Sequence, residues 1–241
     1  MPELSVVVPV YNEQDNILPL LAEIADALRG RGAYEVVYVD DASSDGTLGV
    51  LTRARMLHPE LRVLHHRERS GQSTAIRNGV KAARGRWIAT LDGDGQNDPA
   101  DIPKLLAMRD ESPAPIKLFA GWRVERKDSG SKRMASKWAN AIRRRLLRDD
   151  TPDTGCGIKL FEREAFLDLP YFDHMHRFIP ALIKRHHGRM IVHPVNHRPR
   201  GAGVSKYGNL DRALVGILDL FGVWWLIRRT RLDVVAHEIE G

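Results

Sequence analysis

LSVVVPVYNE, residues 4–13, sets a nearly unbroken apolar run against a polar turn, and YEVVYVDD at 34–41 repeats the pattern. A strand with one wet face alternates polar and apolar positions, so continuous runs of this kind read as strands covered on both faces. ILPLLAEIADALRG (17–30), between them, has its apolar residues at helical spacing. Outward from this pair the alternation continues. A helix starts near Thr47, RVLHH (62–66) is a strand, a helix starts near Ser73, and RWIATLD (86–92) is a strand. ADIPKLLAMRD (100–110) is then a helix and IKLFAG (116–121) a strand. Further on, CGIKLF (156–161) reads as a strand, and HRFIPALIKRHH (176–187) and DRALVGILDLFGVWWLIRR (211–229) read as helices. Strands alternating with helices predict an α/β fold, Rossmann-like, with a mostly parallel central sheet covered by helices.

A chain of 241 residues can bury one substantial core without disulfides. Hydrophobic residues at 43% and charged ones at 28% exclude a disordered or fibrous protein. Cys156 is the single cysteine, which excludes a disulfide framework and a cysteine-based structural zinc site and fits a reducing compartment. MPELSVVVPV has no basic stretch before its short apolar run, so it reads as a strand and no signal peptide is expected. The expected location is therefore cytoplasmic. A net charge of +6 calls for an anionic partner: a nucleic acid, an anionic lipid surface or a phosphorylated substrate.

In sheets of this class ligands sit at the carboxyl ends of the strands. Three of those ends carry polar clusters: PVYNE (9–13), DDASSDGT (40–47) and DGDGQND (92–98). In the last, Asp92 and Asp94 stand two apart with Gln96 and Asp98 following, and Gly93 and Gly95 let the backbone turn so that alternate side chains converge. Hard oxygen donors with open coordination suit Mg²⁺ or Mn²⁺ bridging the phosphates of a nucleotide. Asp, Gly and Asn also favour plain turns. The register with the other two clusters favours the metal.

These stretches carry a resemblance. SVVVPVYNEQDNI, VYVDDASSDGT, SGQSTAIRNGVKAARGRWIATLDGDGQNDP, DTGCGIKLFEREA and HRPRGAGVSKYG resemble, in order and spacing, the inverting family 2 glycosyltransferases of GT-A fold. The last two blocks resemble the polyprenyl-phosphate branch, the dolichol-phosphate mannose synthase-like enzymes. The resemblance runs from about Leu4 to Arg228. It implies a GT-A catalytic domain over 1–207 and a C-terminal membrane-interface helix and tail over 208–241 in the same structural unit. It implies transfer of a sugar from a nucleotide-diphosphate-sugar donor to a polyprenyl-phosphate acceptor, with Mg²⁺ or Mn²⁺. By motif position, Pro9, Tyr11 and Glu13 line the base and ribose pocket, and Asp41 reads the base with Val39 and Asp40 beside it. Asp92 and Asp94 match the metal-binding pair, with Gly93 between them, and Gln96 a further ligand. Arg123 and Arg133 match phosphate-contacting arginines. Arg200, Ser205 and Lys206 match an element that closes over the diphosphate and acceptor. Asp153, beside TGCG, is the fallback for an acceptor-side acid. The expected catalytic set is thus Asp94, Arg123, Arg200 and Lys206.

Two anionic reactants repel until cations offset their charge, and from Trp122 to Arg148 Lys and Arg far outnumber the acids Glu125 and Asp128. A phosphate monoester has its second pKa near 6, so an acceptor phosphate needs no general base at neutral pH. ALVGILDLFGVWWLI is interrupted by Asp219 and falls short of the roughly twenty apolar residues a bilayer needs. No full transmembrane helix is expected. Trp224 and Trp225 ahead of Arg228, Arg229 and Arg231 read instead as an interfacial helix on an anionic membrane, with the stretch at Phe178, Ile179, Leu182 and Ile183 as a second amphipathic candidate. Core packing or an oligomer interface is the other reading of both helices. His65/His66 and His186/His187 are adjacent pairs, and a strand points such neighbours to opposite faces, so no zinc site is expected. Two other functions compete: a family 2 transferase acting on a sugar hydroxyl, disfavoured because no QxxRW element follows, and a non-catalytic nucleotide- or RNA-binding module, for which the acidic pair has no use. No nucleic-acid partner is expected, and self-association is left open.

Overall fold

The computed structural model describes residues 1–113, 115–124, 142–149, 151–199 and 209–229. Among these, the strands are β1 (Leu4–Val10), β2 (Tyr34–Asp40), β3 (Leu61–His65), β4 (Trp87–Thr90), β5 (Ile116–Arg123), β6 (Lys159–Glu162) and β7 (Arg189–Val195). They form one sheet in the order β3-β2-β1-β4-β6-β5-β7. The helices are α1 (Ile17–Leu28), α2 (Thr47–Leu57), α3 (Gln72–Ala82), α4 (Ile102–Glu111), a stretch over 142–147 (α5), α6 (Arg163–Leu167), α7 (Ile179–Arg185) and α8 (Asn209–Arg229).

Both faces of the sheet are covered, as the unbroken valine runs require. Val6 and Val8 of β1 pack with Ile17, Leu20 and Ile24 of α1 and with Leu51 and Ile102. Val7, between them, joins Val37, Val39, Ala75 and Val80 on the other side. Val6, Val7 and Val8 are fully buried, and each such side chain contributes about 1.5–3 kcal/mol relative to exposure.

β1, β2 and β3 step outward in one direction, and β4 returns on the far side of β1, parallel to it. The strand order therefore reverses between β1 and β4, which opens a crevice at their carboxyl ends. β6 runs antiparallel to both β4 and β5. Its first residue, Lys159, thus arrives at the edge where its neighbours end, opposite Thr90 and Ala120.

The two C-terminal helices divide. α7 starts with Pro180 in its first turn, where the missing N–H costs nothing. It buries Ile179, Leu182 and Ile183 in the second core together with Phe178. This apolar stripe is core and offers nothing to a membrane. α8 also packs inward, through Val223 and the partly buried Leu220, Trp224, Leu226 and Ile227. Its outer face leaves Ile217, Leu218, Phe221 and Trp225 more than half exposed. Of the two expected interfacial indoles only Trp225 faces outward. Trp224 lies against the core with the Arg228 guanidinium 4.4 Å from its ring centroid. Among the described residues no helix is long and apolar enough to cross a membrane.

Candidate active site

The loops after β1 and β2 are laced together. The Asn12 backbone N–H donates to Ser43 Oγ (2.8 Å), the Ser44 N–H to Asn12 Oδ1 (2.7 Å), and the Glu13 N–H to Thr47 Oγ1 (2.9 Å). Asn12 and Ala42 sit at positive φ, 54° and 58°, which folds both loops over the strand ends. Asp41 closes this corner. Its Oδ1 accepts the Ser70 N–H and meets His66 Nδ1, its Oδ2 accepts the Gly71 N–H, each at 2.8 Å. The segment so drawn in carries Arg69, whose guanidinium lies 4.2 Å from the Tyr11 ring centroid. A cation over an aromatic face at the mouth of the crevice is a surface for a planar, anionic ligand.

The acidic loop follows β4. Gly95 has φ +72°, a conformation other residues resist, and it turns the chain between Asp94 and Gln96. Asp92 is anchored through its N–H to Asn97 Oδ1 (2.9 Å), and its carboxylate accepts from Gln72 Nε2 (2.8 Å) at the start of α3. Burial, and then the Asp94 carboxylate, push the Asp92 carboxyl up to about 6, while Lys159, Arg123 and Gln72 pull it back. Asp94 accepts the Gln96 N–H at 3.1 Å, and Gln96 Nε2 donates to the Arg198 carbonyl at 3.4 Å. Asp98 is a cap, bonded to the Ala100 N–H and to Asn196, and takes no part in the pair. Opposite, Gly157 lies so close that a Cβ there would come within 2.2 Å of Asp92 Oδ2.

Cations face this loop. Arg123, the last residue of β5, holds Asp153 with both ends of its fork, Nε to Oδ2 at 2.6 Å and Nη2 to Oδ1 at 2.8 Å. Asp153 Oδ1 also accepts the Gly155 N–H at 3.1 Å. Both carboxylate oxygens are thereby used to fix the arginine, an arrangement suited to positioning and poorly suited to taking a proton. Lys159 is almost fully buried, and its ammonium donates to the Cys156 carbonyl. Burial presses its pKa down, against the opposing pull of Cys156, Asp92 and Asp153. Burial likewise pushes the Cys156 thiol up, consistent with a packed residue that is no nucleophile.

One cavity of about 710 Å³ gathers these groups. Of the residues expected from sequence, Pro9, Tyr11, Glu13, Asp41, Asp92, Gly93, Asp94, Gln96, Arg123 and Asp153 line it. Val39 and Asp40 do not. Val39 points into the second core, and the buried Asp40 carboxylate accepts from the Ser43 N–H and meets His65 Nδ1 at 2.8 Å. β-strand alternation sends Asp40 to the opposite face from Asp41, so only the latter reaches the crevice. Arg133, Arg200, Ser205 and Lys206 lie outside the described residues. Sequence reasoning missed Arg69, Gln72, Lys159, His176 and Arg177, all of which line the cavity. Gln72 had a signal, since it opens a helix after a glycine in the SGQSTAIRNG block. Lys159 had none, because only the reversed direction of β6 brings it here.

The described residues hold no cluster of three or more His, Cys, Asp or Glu able to bind a metal by themselves. Two carboxylates at one cavity wall, one of them protonating unusually easily, would supply hard oxygen donors to a divalent cation. The residues fit such an ion.

Residues 5–169 match the family model described as glycosyl transferase family 2. The chain is 36% identical over 233 residues to a dodecaprenyl-phosphate galacturonate synthase of Rhizobium johnstonii, covering 94% of this chain and 68% of that protein. It is 35% identical over 208 residues to an undecaprenyl-phosphate 4-deoxy-4-formamido-L-arabinose transferase of Edwardsiella ictaluri, covering 85% and 63%. It thus spans about two thirds of the length of these relatives. Among solved structures, a mannosyltransferase from Pyrobaculum calidifontis, in complex with GDP-mannose and Mn²⁺, superposes with a TM-score of 0.67 at 23% identity, covering 95% of this chain and 65% of that one. Glucosyl-3-phosphoglycerate synthase from Mycobacterium tuberculosis, with Mn²⁺, UDP and glucosyl-3-phosphoglycerate, gives 0.67 at 19% identity, covering 94% and 80%. The architecture is the GT-A fold.

Proposed function

The chain belongs to glycosyl transferase family 2, and from that premise we propose that it transfers a sugar from a nucleotide-diphosphate donor to a polyprenyl phosphate, inverting the anomeric carbon. The observation that carries this reading is the meeting of Asp92 and Asp94 with Arg123 and Lys159 around one cavity at the sheet's switch point. The lipid acceptor is supported by the two relatives, each named for a polyprenyl-phosphate product or substrate.

Each group has a task in that reaction. Pro9, Tyr11, Glu13 and Asp41 shape the end of the cavity for base and ribose, with Arg69 over Tyr11. Asp92 and Asp94, with Gln96 beside them, would hold Mg²⁺ or Mn²⁺. Such an ion, when bound, neutralises the diphosphate and stabilises it as it departs. Arg123, held by Asp153, presents a fixed positive charge to phosphate oxygens, and Lys159 adds a second from beneath. Arg133, Arg200, Ser205 and Lys206 join by motif position. The acceptor phosphate is anionic at neutral pH and attacks without a general base, so the full commitment of Asp153 to Arg123 leaves nothing missing.

The purified chain is to be incubated with labelled nucleotide-sugars, Mn²⁺ and undecaprenyl phosphate, then extracted into organic solvent. Label in the organic phase, absent without Mn²⁺, is expected. A wild type that hydrolyses or binds donors and never labels the lipid refutes the acceptor.

Metal affinity should follow pH through Asp92. With its carboxyl raised to about 6, the ionised form that binds a cation dominates above that pH and is lost below it. The apparent Mn²⁺ affinity is expected to hold between pH 7 and 8 and to fall about tenfold per unit below pH 6. Titration calorimetry reads both the affinity and the proton released on binding near pH 6, and a flat profile from pH 5 to 8 contradicts the assignment.

The outer face of α8 is the proposed membrane contact. Ile217, Leu218, Phe221 and Trp225 are exposed together, and Arg228 and Arg229 follow in the last turn. Such a face lies in the headgroup layer of an anionic bilayer, its apolar side chains inserted and its arginines on lipid phosphate. Flotation with vesicles containing phosphatidylglycerol is expected to carry the chain. Phe221→Asp with Trp225→Asp is expected to leave it at the bottom of the gradient, and equal flotation of both would remove this contact.

A further inference from the structure

Between the cavity and α8 lies a turn that the reaction as described leaves unused. Residues 175–177 form a single 3-10 turn entered through His174 at φ 63°. Met175 and Phe178 are buried in the second core and pin its two ends. His176 and Arg177, between these anchors, line the cavity. The turn is braced on both sides. Tyr171 Oη meets Thr74 Oγ1 of α3 at 2.6 Å, and His174 Nδ1 meets Asp219 Oδ2 of α8 at 3.3 Å.

Ser73 sets the chemistry of His176. This residue, 1% exposed, accepts the His176 backbone N–H at 3.2 Å and shares a 2.7 Å hydrogen bond with His176 Nδ1. That hydroxyl, already accepting the backbone N–H, still has its own proton to give; when it gives it to Nδ1, the neutral ring carries its proton on Nε2. In that tautomer His176 is a hydrogen-bond donor even when uncharged. Arg177 pairs with no carboxylate among the described residues, although Asp219 feels its charge. Arg123, by contrast, is held by Asp153, Arg69 lies over Tyr11, and the Lys159 charge acts on Asp92. A phosphate dianion entering after the donor adds negative charge to the cavity, and Arg177 lines it with a guanidinium that no described carboxylate pairs.

We propose that His176 and Arg177 form the subsite for the acceptor's phosphate monoester, on the side of the cavity toward α8, with Ser73 as the positioning residue that keeps the His176 donor aimed. This rests on the transfer reaction proposed above and names the residues that recognise its second substrate. The guanidinium fork takes two phosphate oxygens and the imidazole N–H a third, leaving the acceptor held for attack.

The test uses the full chain with Mn²⁺ and the nucleotide-sugar it accepts. Acceptor KM, donor KM and kcat are measured with undecaprenyl phosphate and with glycerol 3-phosphate, and acceptor-free donor hydrolysis is measured alongside. Arg177→Gln is expected to raise the KM for whichever phosphate is used about 10- to 100-fold, leaving donor KM and hydrolysis within about twofold. Arg177→Lys recovers part of the loss, which separates charge from folding. Ser73→Ala raises the acceptor KM by a smaller factor at unchanged donor KM. Loss with both acceptors means that the phosphate alone is read, and loss with the lipid only places recognition in the lipid phosphate as a whole. An unchanged acceptor KM in both Arg177→Gln and His176→Gln overturns the subsite, as does an equal rise in donor KM. A wild type that uses neither acceptor overturns the reaction itself, and that is seen before any variant is made.

Discussion

Asp94→Ala is expected to lower sugar transfer about 10³-fold, the scale of losing a principal electrostatic group at a reacting centre, with almost no change in melting temperature. Asp94 is a partly buried loop residue that accepts the Gln96 N–H and belongs to neither core, so little packing depends on it. Its loss leaves Asp92 as the one carboxylate, with Gln96, to hold a divalent ion. It also removes the like charge that helps raise the Asp92 carboxyl, so the variant should bind protons less readily at Asp92 as well as metal less tightly. Asp94→Asn keeps the shape and removes the charge, and should be nearly as inactive. Transfer and Mn²⁺ titration on the same preparations read both effects. More than a tenth of wild-type transfer at saturating Mn²⁺ in Asp94→Ala would end the assignment of this pair to a metal.

Arg123→Ala is expected to cost both stability and activity. Asp153 is 6% exposed and its two oxygens are shaped around the guanidinium. Removing one partner of such a pair strands a buried charge, at about 3–5 kcal/mol, or roughly 6–20 °C in Tm for a chain of this size. Transfer should fall about 10²-fold or more, since a fixed donor to phosphate is gone. Replacing both partners, Arg123→Met with Asp153→Leu, separates the two roles. Stability should return, because no unpaired charge remains, and activity should not. If the double variant recovers transfer with stability, the pair is only a strut.

The carboxyl-edge clusters were legible because each is local. A strand, a turn and the polar residues in the turn lie consecutively at 9–13, 40–47 and 92–98, and parallel strands deliver such turns to one edge. Edge strand β7 was not legible. Arg189, His193 and Pro194 interrupt its apolar pattern, which an edge position tolerates and a central strand does not. The HRFIPALIKRHH helix carried a stripe readable as core or as membrane face, and only packing against the second core decided for core.

By itself the sequence determined the layered α/β plan, the acidic pair and the side of the sheet where the cavity opens, since these depend on neighbours within a few residues. The tertiary structure alone decided which cations face that pair. Lys159 lines the cavity, where its charge acts on Asp92, because β6 runs against its neighbours, and His176 reaches the cavity, held by Ser73, across a separation of 103 residues. Contacts of that span are set by how the helices close over the sheet, and no periodicity along the chain encodes them.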